Sequence, residues 1–190
     1  MIRVVGIVGS LRRESYNRKL LRAAQQLAPQ DMYIEEALLV GIPLFNPDEE
    51  DPLPPAVREL KERIGCADAI IIATPEYNHS IPGVLKNAID WLTRPPPDNP
   101  FNGKPVAIIG ATTGNFGTLR AQLHLRQILV YLNADVLNRP EVLVARVKEK
   151  VGADGSINDP VGKELLTQLL QALRQRILER RLLAQAPHAG

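Results

Sequence analysis

Three apolar runs constrain the fold more than any other feature of the chain: residues 2–9 (IRVVGIVG), 68–74 (DAIIIAT) and 106–113 (VAIIGATT). Each is apolar at nearly every position rather than at every second one, which predicts a strand covered on both faces. Each is followed by a segment with apolar residues at helical spacing. After the first, residues 15–28 (SYNRKLLRAAQQLA) place Leu20, Leu21, Ala24 and Leu27 on one face, with Ser15 at the N-cap position. Residues 32–38 predict a second, more polar strand, and 56–67 a second helix. Helices are also predicted over 82–93, 119–133 and 163–184, and a fifth strand, broken by Pro140, within 134–146. Five alternations of strand and helix specify an α/β fold with a parallel sheet between two helical layers. Right-handed crossovers leave few topologies for it. The proline-rich stretches 40–55 and 94–105 read as loops inside one domain, residues 1–185, with 186–190 a frayed tail.

The remaining bulk properties exclude more than they assign. The chain has 190 residues and a formal net charge of +2, which gives no footprint for nucleic acid. The N-terminus opens directly on strand-like sequence, and no apolar stretch approaches the roughly 20 residues needed to span a bilayer. A soluble, cytoplasmic protein with no membrane span is the expectation. The single cysteine, Cys66, has no disulfide partner and reads as a small buried hydrophobe.

In open α/β sheets, ligands bind beyond the carboxyl ends of the strands, where strand order reverses. Three loops lie there: GSLRRESYN (9–17), PEYNHS (75–80) and ATTGNFG (111–117). The first offers Ser10, Ser15 and Asn17 as short side-chain donors, the Arg12 guanidinium, and the free N–H groups of a helix start. That set suits an anion, best a phosphate; a capped helix with solvated arginines is the other reading of the stretch. Neither the G-x-x-x-x-G-K-[ST] nor the G-x-G-x-x-G pattern is present, so a terminal monophosphate fits better than a triphosphate or a dinucleotide. Glu35 and Glu36 read as residues of a solvated strand. In the second loop Pro75 holds the backbone extended and Tyr77 presents a ring face, as a flat heteroaromatic ligand needs. An ordinary turn whose tyrosine packs on the core is the alternative. Ser80 is a candidate cap of the next helix, and Gly83 a point of close helix approach. In the third loop Thr112 and Thr113 carry hydroxyls, and Gly114 and Gly117 let backbone approach a ligand. A monophosphate site beside a flat-ring site is what flavin mononucleotide (FMN) requires.

GSLRRESYN, PEYNHSIPGVLKNAIDWL and GNFGTLRAQLHLRQIL closely resemble the NADPH-dependent FMN reductase family of flavodoxin-like proteins, on the branch of bacterial quinone and chromate reductases. The resemblance runs from Ile2 to about Leu183. It implies a flavodoxin-like three-layer sandwich with five parallel strands in order 2-1-3-4-5. It implies FMN phosphate held by Ser10, Arg12, Ser15 and Asn17, and flavin contacts from Pro75, Glu76, Tyr77, Asn78 and Ser80, several of them through backbone. Thr112, Thr113 and Gly114 complete the implied site. NADPH or NADH is the implied co-substrate, in a ping-pong transfer to quinones, chromate, azo compounds or free flavin. A homodimer or homotetramer with FMN near the subunit interface is also implied. The chain departs from the family pattern at Thr118, where a second glycine is common and a side chain is expected to narrow the pocket rim, and at His79.

No side chain is needed as acid or base in this scheme, so no catalytic residue is named. His79, His124 and His188 lack metal-ligand spacing, and no G-x-S-x-G elbow is present. Trp91 and the leucine-rich last helix read as core or subunit interface, and His124 as a helix-surface or interface residue. A flavin-binding electron carrier is the rival function, though such carriers are strongly acidic and this chain is slightly basic. A cofactor-free interaction module is the second rival.

Overall fold

The alternation folds as β1 (Ile2–Val8), α1 (Tyr16–Leu27), β2 (Met32–Leu38), α2 (Pro55–Gly65), β3 (Ala69–Ala73) and α3 (Gly83–Leu92). It continues as β4 (Pro105–Ala111), α4 (Leu119–Tyr131), β5 (Asp135–Val136), β6 (Val142–Val144) and α5 (Pro160–Gln185). The structure, a computed structural model, describes residues 1–152 and 154–185, so the expected tail 186–190 lies outside the described residues.

All strand pairs are parallel, in the order β2-β1-β3-β4-β5. The expected fifth strand is two short pieces, β5 and β6, both paired with β4 (Pro105↔Asp135 and Ile109↔Val142). Pro140 lies in the gap between them, where a residue without N–H cannot extend a ladder. Two core clusters cover the two faces of the sheet. Leu20, Leu21, Ala24, Leu166, Leu169 and Leu173 of α1 and α5 pack on one face. Leu60, Ile64, Leu85, Ile89, Leu125 and Leu129 of α2, α3 and α4 pack on the other. β3 and β4 are buried at every position, which explains their unbroken apolar runs. Each valine or isoleucine among them contributes about 1.5–3 kcal/mol by leaving water.

Several expectations change. Cys66 is exposed, because it sits at the C-cap of α2, one residue short of the next buried position, Ala67. Gly83 has open space beside it, so no close helix approach occurs there. Glu35 and Glu36 are half-buried rather than solvated, and each finds an arginine: Arg63 at 2.9 Å and Arg18 at 2.6 Å.

Helix α3 holds the long loop over residues 40–55 in place. Asn87 donates to the Pro43 carbonyl at 2.7 Å and accepts from the Phe45 N–H at 2.7 Å. The buried Trp91 indole donates to the same carbonyl at 2.9 Å, and its ring meets Phe45 edge-on at 5.1 Å. The KNAIDW stretch therefore works as a clamp on a loop, one turn of helix separating its two polar contacts.

Candidate functional site

The loops after β1, β3 and β4 meet at the carboxyl edge of the sheet. They enclose a cavity of about 190 Å³ lined by Ser10, Arg12, Ser15, Tyr16, Asn17, Pro75, Glu76, Tyr77, Ala111, Thr112 and Thr113. The first wall is the start of α1. Ser15 caps the helix with its own hydroxyl, which accepts from Arg18 N at 3.3 Å. The N–H groups of the first helical residues have no partner within the helix. Ser10 Oγ accepts from Arg12 N at 3.2 Å, folding the loop back on itself. The Arg12 guanidinium lies over the Tyr16 ring at 5.3 Å. Asn17 is buried, and both ends of its amide bind the Ala111 peptide, Nδ2 to O at 3.0 Å and Oδ1 from N at 2.8 Å. It fastens the start of α1 to the end of β4, leaving one amide N–H uncommitted.

The second wall is a two-residue turn. Tyr77 and Ser80 exchange both backbone hydrogen bonds at 3.0 Å. Asn78 (φ +50°) and His79 (φ +64°) between them are left-handed, as in tight hairpin turns that place φ > 0 at both central residues. This geometry leaves the Tyr77 ring half exposed, with its hydroxyl 3.4 Å from Ser10 Oγ across the cavity. The ring does not pack into the core. Ser80 caps nothing: α3 starts after Pro82 with no side-chain cap, and Ser80 Oγ instead meets His124 Nδ1 at 3.0 Å on the exposed side of α4.

The third wall leads into a second cavity of about 210 Å³, lined by Glu76, Asn78, His79, Thr112, Gly114, Asn115, Phe116, Thr118 and Arg120. Glu76 and Thr112 line both cavities, so the two are contiguous. The Glu76 side chain faces α4: Oε2 accepts from Arg120 N at 2.9 Å and Ala121 N at 3.2 Å. Oε1 accepts from Arg120 Nε at 2.6 Å and pairs with Nη2. Burial pushes the Glu76 carboxyl upward, but the Arg120 hydrogen bond, the Ala121 N–H and the Arg120 charge together hold it below the ordinary carboxylate value. Arg120 Nη1 also lies 2.9 Å from His79 Nε2, and the guanidinium covers the Phe116 ring at 4.9 Å.

Thr118 does not narrow the rim. It is fully buried and left-handed (φ +69°), and its hydroxyl fills the notch that Gly110 leaves open: a Cβ on Gly110 would stand 1.8 Å from Thr118 Oγ1. Gln122 donates to that hydroxyl at 3.2 Å. A β-branched residue in this region costs on the order of 1–3 kcal/mol, so the surrounding contacts must hold it there. Gly117 (φ +58°) is required for a different reason from the one expected. A Cβ there would meet the Leu143 backbone at 2.6 Å, so the close approach is to β6 and not to a ligand. Gly114 has only Thr112 Oγ1 at 3.8 Å beside it and keeps its side open.

Of the twelve expected site residues, Ser10, Arg12, Ser15, Asn17, Pro75, Glu76, Tyr77, Thr112 and Thr113 line the first cavity, and Asn78 and Gly114 line the second. Ser80 lines neither. Sequence reasoning missed Tyr16, Ala111, Asn115, Phe116 and Arg120 as lining residues. A signal for Arg120 existed: Glu76 had no named partner, and the first turn of the helix after the third loop carried an arginine.

A parallel sheet with this order and a polar, two-part cleft at its carboxyl edge defines a flavodoxin-like nucleotide-binding protein. Residues 2–149 match the NADPH-dependent FMN reductase family, and the chain belongs to it. It is an oxidoreductase of the class that uses FMN and NAD(P)H. The chain is similar to an NAD(P)H-dependent FMN reductase of Pseudomonas aeruginosa, 52% identical over 174 residues, 91% of this chain and 94% of that protein. It is similar to a quinone reductase of Escherichia coli, 42% identical over 180 residues, 93% of this chain and 95% of that protein. Among solved structures, the flavoenzyme NAD(P)H:(acceptor) oxidoreductase FerB of Paracoccus denitrificans superposes with a TM-score of 0.88 at 36% identity, covering 94% of this chain and 98% of that one.

Proposed function

We propose that the chain binds FMN across the two contiguous cavities and reduces quinones with NADPH or NADH. The observation that carries this reading is the first cavity, where Ser10, Arg12, Ser15 and the open N–H groups of α1 converge beside the exposed Tyr77 ring. That donor set fits a monophosphate: one guanidinium, two hydroxyls and a helix start, with no glycine-rich loop sized for a longer phosphate chain. Thr112 and Thr113 add hydroxyls on the side toward the second cavity. There the peptide groups of Glu76 and Asn78 and the open flank of Gly114 leave room for a flat ring. FMN, when bound, supplies the two-electron exchange between NAD(P)H and the acceptor.

The protein supplies position. The left-handed turn at Asn78 and His79 keeps the Tyr77 side chain at the mouth. The Arg146 N–H donates to the Gly114 carbonyl at 2.9 Å, and Thr112 N donates to Val144 O at 2.9 Å, which pins the third wall to β6. With the phosphate and ring so held, one open face serves the nicotinamide and then the acceptor in turn, a ping-pong order. No side chain in the cavities is required to move a proton, since the site opens to water. The quinone assignment rests on relatives whose own names are quinone reductases; chromate, azo compounds and free flavin are further acceptors of the same scheme. Exposed Leu123, Val130 and Tyr131 on α4 support assembly as a homodimer or homotetramer, and no helix among the described residues is long and apolar enough to cross a membrane. A cytoplasmic location is part of the same proposal.

The test is the visible absorption of the purified protein supplied with FMN, before and after anaerobic NADPH and then NADH. Bound flavin bands that bleach, and recover on adding a benzoquinone, are the expected result. Bands that stay unbleached with both donors would make the chain an electron carrier. No bound flavin would overturn the cofactor assignment.

A further inference from the structure

The second cavity is lined by neutral groups except for one ion pair. Asn78, Thr112, Gly114, Asn115, Phe116 and Thr118 carry no charge, while Glu76 and Arg120 carry one each, of opposite sign. His79 Nε2 faces Arg120 Nη1 at 2.9 Å and accepts there, because a guanidinium can only donate. The pair is also incompletely used. Arg120 has five N–H groups and commits one from each nitrogen to Glu76 or His79, leaving donors on Nη1 and Nη2. The Glu76 carboxylate is nearly buried against the start of α4, while the guanidinium is more open.

We infer that the Glu76–Arg120 pair sets the charge balance of the second cavity, and so how much more tightly the chain holds reduced FMN than oxidised FMN. The inference rests on the FMN reading above, with the ring in the second cavity. Oxidised flavin has a neutral ring, and reduced flavin carries a negative charge on its ring near neutral pH. A cavity whose ion pair is balanced favours neither form strongly. Removing the carboxylate leaves a lone cation beside the ring, and removing the guanidinium leaves a lone anion. Even in a partly open cleft, a single uncompensated charge beside the ring shifts the balance between a neutral and an anionic ring, whereas a lost neutral hydrogen bond weakens both forms alike. Glu76 and Arg120 are thus positioning and charge-setting residues, and Glu76 acts on the ring through Arg120 and through its own field rather than by donating to the cofactor.

The test compares association constants of oxidised FMN and dithionite-reduced FMN for the apoprotein, measured anaerobically at pH 8. In Glu76→Gln, which keeps an acceptor oxygen for the α4 N–H groups, the ratio of reduced to oxidised affinity rises about tenfold. In Arg120→Gln it falls by a similar factor. In the charge-balanced double variant it returns to within about twofold of the wild type. A purely structural role would lower both affinities together and leave the ratio alone. Saturable binding with an unmoved ratio in either folded single variant, or a double variant that behaves like Glu76→Gln, would overturn the inference while leaving the FMN site standing. Failure of the wild type to bind FMN in either state would overturn the FMN reading itself.

Discussion

Helices α1 and α4 begin at the same edge of the same sheet, and their N-termini are treated in opposite ways. α1 is capped by its own Ser15, and its remaining first-turn N–H groups open into the first cavity beside Arg12. α4 has no side-chain cap of its own, since Thr118 is turned inward onto Gly110, and its N–H groups at Arg120 and Ala121 are taken by Glu76 from another loop. A helix N-terminus attracts an anion in either case. At α4 the protein supplies the anion itself, and at α1 the place is left for one from outside. On the FMN reading proposed above, this difference directs the phosphate to α1, although both loops are polar and glycine-bearing in the sequence.

The comparison can be broken at the joint between the two regions. Asn17→Ala removes both hydrogen bonds to the buried Ala111 peptide. Leaving its N–H and C=O unpaired is expected to cost about 3 kcal/mol, which denaturant unfolding reads directly. A loss under about 1 kcal/mol would mean that water or relaxation replaces the amide and that the two walls are not fastened through it. The open terminus is tested next. Arg12→Ala with Ser15→Ala is expected to weaken FMN binding about a hundredfold, from two lost hydrogen bonds to a charged group. The melting temperature should fall only a few degrees, the size of one lost cap. Unchanged affinity would remove the phosphate from this loop.

The filled terminus gives the smallest effect, and it depends on pH. The Glu76 carboxyl titrates lower in the folded chain than in the unfolded one, where its ordinary value is 4.5. Its stabilisation is therefore complete above pH 4.5 and is lost as the pH falls through the folded value. Glu76→Gln keeps the acceptor oxygen but not the ion pair, and should cost about 1 kcal/mol at pH 7. The gap between wild type and variant should close as melting is repeated at lower pH. A gap that stays constant to pH 3 would mean that the carboxylate charge contributes nothing there.

The sequence made the sheet legible because β3 and β4 are buried at every residue and β1 at every residue but Arg3. It made the first wall legible because the start of α1 carries its own cap and its own charge within one short loop. The second cavity was less legible because its partners lie 44 positions apart: Glu76 from one loop meets Arg120 from a helix. The family resemblance implied Glu76 as a cofactor contact, and Arg120 was not named at all. Thr118 misled for a similar reason. Its neighbour Gly110 lies one strand away, and only the packed structure makes the notch that swallows the hydroxyl. Cys66 failed by a single position at a helix end, where burial changes from residue to residue. The KNAIDW stretch is part of the sequence that resembles the family, yet Asn87 and Trp91 hold a loop, so a distinctive motif can mark architecture rather than chemistry.

The most direct test of the central claim is to measure FMN and riboflavin affinities side by side, in the wild type and in Arg12→Ala/Ser15→Ala. The two ligands differ only by the phosphate. If the open start of α1 holds that phosphate, the wild type prefers FMN by about a hundredfold and the variant loses nearly all of that preference while binding riboflavin as before. A variant that keeps the full preference for FMN would place the phosphate elsewhere and contradict the account.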